Sequence, residues 1–218
     1  MKEYKFILFD LDGTLTDPGV GITNSVMHAL AKWNIHVDDR RELYKFIGPP
    51  LLDSFADFYG FSPEECQLAL KYYREYFADK GLYENEVYDG TERMLEAIKN
   101  AGKTIVLCTS KPQEYAVRIL EHFGLDKYFD FFAGASMDEK RSAKSDVIEY
   151  ALETCGCANR AEAIMIGDRE HDIFGAKKCG LASMGVLYGY GDRAELEAAG
   201  ADYIAASPDE VARLLTNQ

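Results

Sequence analysis

Positive charge is scarce in this chain of 218 residues: 24 Lys and Arg stand against 37 Asp and Glu, a formal net charge of −13. Such a balance argues against nucleic acid or an anionic membrane as a general partner. An anionic ligand would have to be held by a few local cations and backbone amides against that field. Metal-binding cysteine patterns are missing as well. The five cysteines, Cys66, Cys108, Cys155, Cys157 and Cys179, include one close pair, Cys155-Gly156-Cys157. That pair has neither Cys-x-x-Cys spacing nor a matching second pair, so free thiols in a reducing cytosol are expected rather than a zinc site. The four histidines form no cluster. No apolar run approaches membrane-spanning length, and there is no internal repeat or low-complexity segment. Lys2, Glu3 and Lys5 lead straight into a short apolar stretch, unlike a secretory leader. A soluble, cytoplasmic protein with neither nucleic-acid nor membrane partners is expected; its oligomeric state is left open.

What the chain does have is concentrated near its start. Phe6-Ile7-Leu8-Phe9 is apolar without alternation, the pattern of a strand buried on both faces. It runs into Asp10-Leu11-Asp12-Gly13-Thr14. Residues two apart on an extended segment point the same way, so Asp10 and Asp12 should aim together beyond the strand end. Two carboxylates crowded there repel and lose hydration, a conflict that a divalent cation would relieve. The bland alternative is an acidic turn.

From about Thr16 to Glu86 the spacing is helical, with no strand signal. Ile22, Val26, Leu30 and Trp33 mark one helix. Asp38 or Asp39 would cap a second one carrying Leu43, Phe46 and Ile47, stopped by Gly48-Pro49-Pro50. A third runs over Leu51–Tyr59 to Gly60, and Ser62-Pro63-Glu64-Glu65 opens a fourth that runs toward Phe77. Tyr72, Tyr73 and Tyr76 on the fourth are read as packing residues. After Tyr88, strands and helices alternate. Expected strands are Thr104–Cys108, stopping at Thr109-Ser110, then Tyr128–Ala133, Ala163–Ile166, Ser183–Val186 and Asp202–Ala205. The helices between and after them are Thr91–Asn100, one opened by Pro112 and closed by Gly124, Ser145–Leu152, one through Ile173 and Ala176, and Pro208–Leu215. That alternation predicts a doubly wound parallel α/β sheet. The division is a core of residues 1–15 and 87–218 with a small all-helical domain, residues 16–86, inserted after the first strand.

Ligands of open parallel sheets bind outside the carboxyl ends of the strands. Those ends carry Asp10 and Asp12, Thr109 and Ser110, and Asp168 with Asp172 four on, while Lys144 opens a helix. Carboxylates in this number suit a hard cation such as Mg²⁺. A hydroxyl, a lysine and the backbone amides of a turn suit a phosphoryl group. One carboxylate can act as nucleophile while its neighbour does acid–base work. Arg169, Glu170 and His171 are read as solvated. Tyr188-Gly189-Tyr190-Gly191 lies either near the mouth of the site or on a surface turn.

In this order the motifs resemble those of the haloacid dehalogenase (HAD) superfamily: Asp10-Leu11-Asp12-Gly13-Thr14 first, Thr109-Ser110 second, Lys144 third and Gly167–Asp172 fourth. The helical insertion resembles the family's cap, and the stretch Phe46–Leu52 is similar to that of the phosphoglycolate phosphatase branch, where it faces the catalytic site. The resemblance implies a Mg²⁺-dependent phosphatase of a small phosphorylated metabolite, phosphoglycolate-like, working through an aspartyl-phosphate. Asp10 would be nucleophile and Asp12 acid–base group. Metal would be held by Asp10, the backbone carbonyl of Asp12 and Asp168. Thr109, Ser110, Gly13 and Lys144 would hold phosphate, with Asp172 orienting Lys144 or a metal-bound water. Lys45, Ile47 and Gly48 would select the leaving group. A 5′-nucleotidase or pyrophosphatase is the alternative, and a sugar phosphomutase a more distant one.

Overall fold

The computed structural model describes residues 2–216. They divide into two compact units, Asp17–Glu86 and the remaining described residues on either side of it.

The larger unit is built on a six-stranded sheet. In chain order its strands are β1 (Phe6–Phe9), β4 (Thr104–Pro112), β5 (Phe131–Ala135), β6 (Ala163–Gly167), β7 (Ala182–Val186) and β8 (Tyr203–Ala205). They lie in the order β5-β4-β1-β6-β7-β8, every pairing parallel. The chain therefore winds from β1 outward in one direction through β4 and β5, then returns to β1 and winds the other way from β6. The reversal leaves β1 central, with Phe6 paired to both Thr104 and Ala163, and it is beside such a reversal that a crevice opens. The uniformly apolar β1 matches this position, since Ile7, Leu8 and Phe9 are all fully buried. Leu8 belongs to a core with Val106, Cys108 and Met165 from neighbouring strands and Val147, Ile148 and Ala176 from two helices, α6 (Lys144–Thr154) and α7 (Glu170–Lys178). Ile7 and Phe9 bury the opposite side of the strand. The unit also contains α4 (Thr91–Asn100), α5 (Gln113–Phe123), α8 (Arg193–Ala199) and α9 (Pro208–Thr216).

Several sequence expectations shift here. β4 continues four residues past Cys108, because a bulge between Thr109 and Pro112 lets the strand resume pairing with β5. β5 begins at Phe131, as Asp126–Tyr128 closes into a single 3₁₀ turn. Helix α8 was not anticipated. Its signals are local and short: the Asp192 side chain caps the Glu195 amide at 2.8 Å, and Gly200 ends the helix with φ 79°.

The smaller unit holds α1 (Gly19–Leu30), α2 (Leu51–Tyr59) and α3 (Pro63–Tyr76). Ser62 and Glu65 form the expected capping box. The segment after Asp39 is a 3₁₀ helix, Arg40–Phe46, and Phe77–Gly81 forms a π turn. Two two-residue strands, β2 (Thr16–Asp17) and β3 (Glu86–Val87), stand where the sequence had shown no strand signal. The two ends of the unit are stitched together by the Gly21 amide, which donates to the Glu84 carbonyl at 3.0 Å. Tyr73 is buried, and the Tyr76 hydroxyl hydrogen-bonds Glu84 at 3.0 Å, so both are packing residues as read. Among the described residues no helix is long and apolar enough to cross a membrane, and all five cysteines are free thiols.

Candidate active site

The site begins where β1 stops. The Asp10 amide donates to the Ile166 carbonyl at 2.9 Å, carrying the ladder one residue beyond the strand. The chain then folds over Leu11, whose carbonyl accepts from the amides of Thr14, Leu15 and Thr16 at 2.8–3.2 Å. Gly13 makes this possible with φ +80°, and any Cβ there would collide with the Asp168 carboxylate. The turn leaves the carboxylates of Asp10 and Asp12 buried, 4% and 8% exposed.

At the end of β4, Thr109 is buried and its Oγ1 accepts the Lys111 amide at 3.2 Å. The bulge there turns the Lys111 side chain inward, and its ammonium donates to Asp12 Oδ2 at 2.6 Å. Asp12 Oδ1 is buried without a hydrogen-bond partner. Ser110 is half-buried.

Lys144 is the first residue of α6. Its ammonium lies 3.0 Å from Asp10 Oδ1, 2.7 Å from Asp172 Oδ1 and 3.3 Å from the Cys108 carbonyl. Asp172, in the first turn of α7, also accepts the Arg169 amide at 3.2 Å, the position where a helix favours an anion. A side chain at Gly175 would press into the stem of Lys144 and one at Gly167 into Asp172, so both glycines clear room for this pair.

Asp168, fully buried, follows β6. The Tyr190 amide donates to its Oδ2 at 2.8 Å, and Thr14 Oγ1 lies 3.4 Å from its Oδ1. Gly189 and Gly191 let the chain close over this carboxylate: a Cβ on the former would strike Asp168 and the Gly13 carbonyl, and one on the latter the Asp168 carbonyl. Tyr188-Gly189-Tyr190-Gly191 is thus the wall of the site.

The electrostatics follow from burial. Four buried carboxylates, Asp10, Asp12, Asp168 and Asp172, face two buried ammonium groups, Lys111 and Lys144. Desolvation, with Asp172 and Asp10 adding repulsion, holds the Asp168 carboxyl well above its ordinary range. Desolvation likewise pushes Asp172 up to about 6 despite Lys144, and raises Asp12 despite Lys111. Burial opposes the charge on Lys144, but Asp10 and Asp172 outweigh it, and its pKa is raised. The formal deficit is two positive charges, which one divalent cation would supply. Oxygen atoms of Asp10, Asp168 and Asp172 lie within 4.8 Å of one another, a donor set that fits a hard cation. The Asp12 side chain is not in this group, because Lys111 holds it.

The structure therefore brings Asp10, Asp12, Thr109, Lys144, Asp168 and Asp172 to one sheet edge. The Gly13 amide, expected to face phosphate, instead donates to the Thr16 carbonyl at 2.8 Å. This corrects its place among the phosphate donors, since the turn needs that bond to close. Arg169 is not simply solvated either, as it pairs with Glu195 at 2.8 Å and is 17% exposed. In the smaller unit, Ile47 is fully buried, Gly48 has φ 108°, and the Lys45 ammonium sits 4.4 Å from the centre of the Phe58 ring. Lys111 escaped the sequence reading altogether. The available signal was a lysine one residue beyond a hydroxyl pair at a strand end, but strand alternation does not foresee a bulge.

Comparisons with known proteins agree with this geometry. A 5′-nucleotidase of Pseudomonas aeruginosa is 46% identical over 195 residues, 89% of this chain and 88% of the relative. The tyrosine-protein kinase PtkA of Mycobacterium tuberculosis is 37% identical over 188 residues, 86% of this chain but 63% of the kinase. A crystal structure of a predicted phosphatase from Clostridium acetobutylicum superposes with a TM-score of 0.96 at 49% identity, each chain fully covered. The haloacid dehalogenase-like hydrolase pattern matches residues 7–186. That span runs from β1 through β7 and takes in Asp10, Asp12, Thr109, Lys111, Lys144, Asp168 and Asp172, so the chain belongs to the haloacid dehalogenase-like hydrolases and is an enzyme of their phosphatase type.

Proposed function

We propose that the protein is a Mg²⁺-dependent phosphomonoesterase of small phosphorylated metabolites, acting through an aspartyl-phosphate on Asp10. The observation that carries this reading is the unequal treatment of the first two carboxylates. Asp10 shares Lys144 with Asp172, whereas Asp12 is held apart by Lys111 with one oxygen buried and unpartnered. A nucleophile needs a neutralised, oriented carboxylate, and a proton carrier needs one kept away from the cation.

In this reading Asp10 attacks phosphorus in line with the leaving oxygen, which takes its proton from Asp12. Asp12 then draws a proton from water as it attacks the acyl phosphate. Thr109 Oγ1 accepts the Lys111 amide and so turns its own proton toward a phosphoryl oxygen. Lys144 offsets charge on the same group, and Asp172 orients Lys144. A bound Mg²⁺, held by Asp10, Asp168 and the Asp12 backbone carbonyl, would polarise the phosphoryl group. Of the expected leaving-group selectors Lys45, Ile47 and Gly48, Lys45 would bring a cation suited to an anionic substrate, while the fully buried Ile47 could act only by shaping the backbone around Gly48.

The relative named 5′-nucleotidase makes nucleoside 5′-monophosphates the first substrate class to test; phosphoglycolate, suggested by the Phe46–Leu52 stretch, is the second. Phosphate release across a metabolite panel with Mg²⁺ tests both. Activity on phosphomonoesters that disappears in Asp10→Asn is expected. A protein that releases no phosphate but transfers it from ATP to a protein tyrosine would replace this reading with that of the kinase relative.

A further inference from the structure

Lys111 belongs to none of the motif positions that carried the argument, yet its two ends touch two of them. We infer that Lys111 is a positioning residue for Asp12, locking one carboxylate oxygen so that the other is presented to the leaving group. This rests on the reading of Asp12 as proton carrier.

Three observations converge. First, Lys111 Nζ and Asp12 Oδ2 are 2.6 Å apart with side chains only 5% and 11% exposed, a geometry that leaves the carboxylate little rotational freedom. Oδ1 remains buried without a partner, so the bond selects which oxygen is available. Second, the backbone is shaped to deliver this contact. Thr109 pairs with Gly134 and Pro112 with Ala135, so Ser110 and Lys111 lie within a two-residue register shift of β4 against β5. Bulges of this kind re-aim a side chain, and the Lys111 amide pins the bulge by donating to Thr109 Oγ1. Third, the two buried lysines divide the carboxylates between them. Lys144 takes Asp10 and Asp172, and Lys111 takes Asp12, which consequently stays out of the group Asp10, Asp168 and Asp172. Burying an ion pair adds little to stability over an apolar pair of the same shape, so the contact is better explained by orientation than by folding.

The chemistry locates the effect. In the first step a bond forms between Asp10 and phosphorus, the bond from phosphorus to the leaving oxygen breaks, and that oxygen takes the proton from Asp12 Oδ1. In the second, water attacks phosphorus, its proton passes to Asp12, and the bond to Asp10 breaks to free phosphate. A leaving alkoxide needs the proton, whereas a nitrophenolate departs without it. The value of kcat/KM reads only the first step, since departure of the alcohol is irreversible under initial-rate conditions.

The test measures kcat/KM for a nucleoside 5′-monophosphate and for p-nitrophenyl phosphate, with Mg²⁺, in the full chain and in Lys111→Met, Lys111→Arg and Asp12→Asn. Lys111→Met is expected to lower the alkyl ester by about a hundredfold and the aryl ester by less than about tenfold, with Lys111→Arg recovering most of the difference. Equal losses on both esters, or an alkyl value at wild-type level, would overturn the inference while leaving Asp12 intact if Asp12→Asn still discriminates. An Asp12→Asn variant that treats both esters alike overturns the inference together with the reading it rests on. Should Lys111→Met fail to fold, Lys111→Gln is read by the same criterion.

Discussion

The crowding of carboxylates beneath the sheet edge should be measurable as a pH-dependent weakness of the metal-free protein. Asp172 is raised from an ordinary 3.8 to about 6, so the folded state holds its proton more tightly than the unfolded chain does. Stability from this group is therefore fully present below about pH 4 and is lost as pH rises through about 6. Between about pH 5 and about pH 8 the linkage relation gives a loss of about 1.4 kcal/mol from Asp172 alone. For a chain of this size that corresponds to a fall of about 3–6 °C in Tm. Asp168 and Asp12 are raised by the same desolvation and act in the same direction. His171 acts oppositely, because burial lowers its pKa and disfavours its charged form. A comparison with Asp172→Asn isolates the carboxylate. Thermal unfolding in chelator should show the wild-type Tm falling from pH 5 to pH 8 by more than that of Asp172→Asn. Saturating Mg²⁺, about a hundred times its Kd, should add about 2.7 kcal/mol at the higher pH and less at the lower, where protons compete for the ligands. A wild-type protein whose Tm is no more pH-sensitive than the variant's, or which Mg²⁺ stabilises equally at both pH values, would refute the argument.

Two further outcomes follow from single contacts. Lys144→Met strips the partner from two buried carboxylates and should cost about 3–5 kcal/mol in chemical denaturation as well as abolishing turnover; a variant of wild-type stability would show that Asp10 and Asp172 do not depend on it. Gly189→Ala forces a methyl against Asp168 and the Gly13 carbonyl, and should cost about 1–3 kcal/mol while weakening Mg²⁺ activation, whereas unchanged activation would mean that the loop does not hold Asp168.

How much of this was legible beforehand depends on the range of the cause. Asp10, Asp12, Asp168 and Lys144 are found from the sequence because each sits at the end of a strand or the start of a helix whose own pattern is plain. The parallel, doubly covered sheet is equally readable, as a strand like Phe6–Phe9 with no polar residue demands cover on both faces. Lys111 was hidden by the reverse situation. Its orientation comes from a register shift in β4 that is visible only against β5. The Gly13 amide was misread because its partner, the Thr16 carbonyl, is set by the closure of the whole turn. The role of Tyr188–Gly191 needed Asp168, some twenty residues away in sequence, to be in place first. Short elements such as α8 and the two-residue strands are too brief for any periodicity to register.

The insertion of the smaller unit also bears on how the chain finds its fold. The central strand pairs with Thr104 and Ala163 from Phe6, so the pairings that create the catalytic edge are among the most non-local in the molecule, and such pairings slow folding. Yet most of the chain between β1 and β4 is the Asp17–Glu86 unit, whose ends are already tied by the Gly21–Glu84 hydrogen bond. If that unit condenses first, the loop to be closed shrinks from about 95 residues to about 25, and the entropic penalty drops by about 1 kcal/mol. An insertion that condenses first thereby shortens the search of the first strand for its partner.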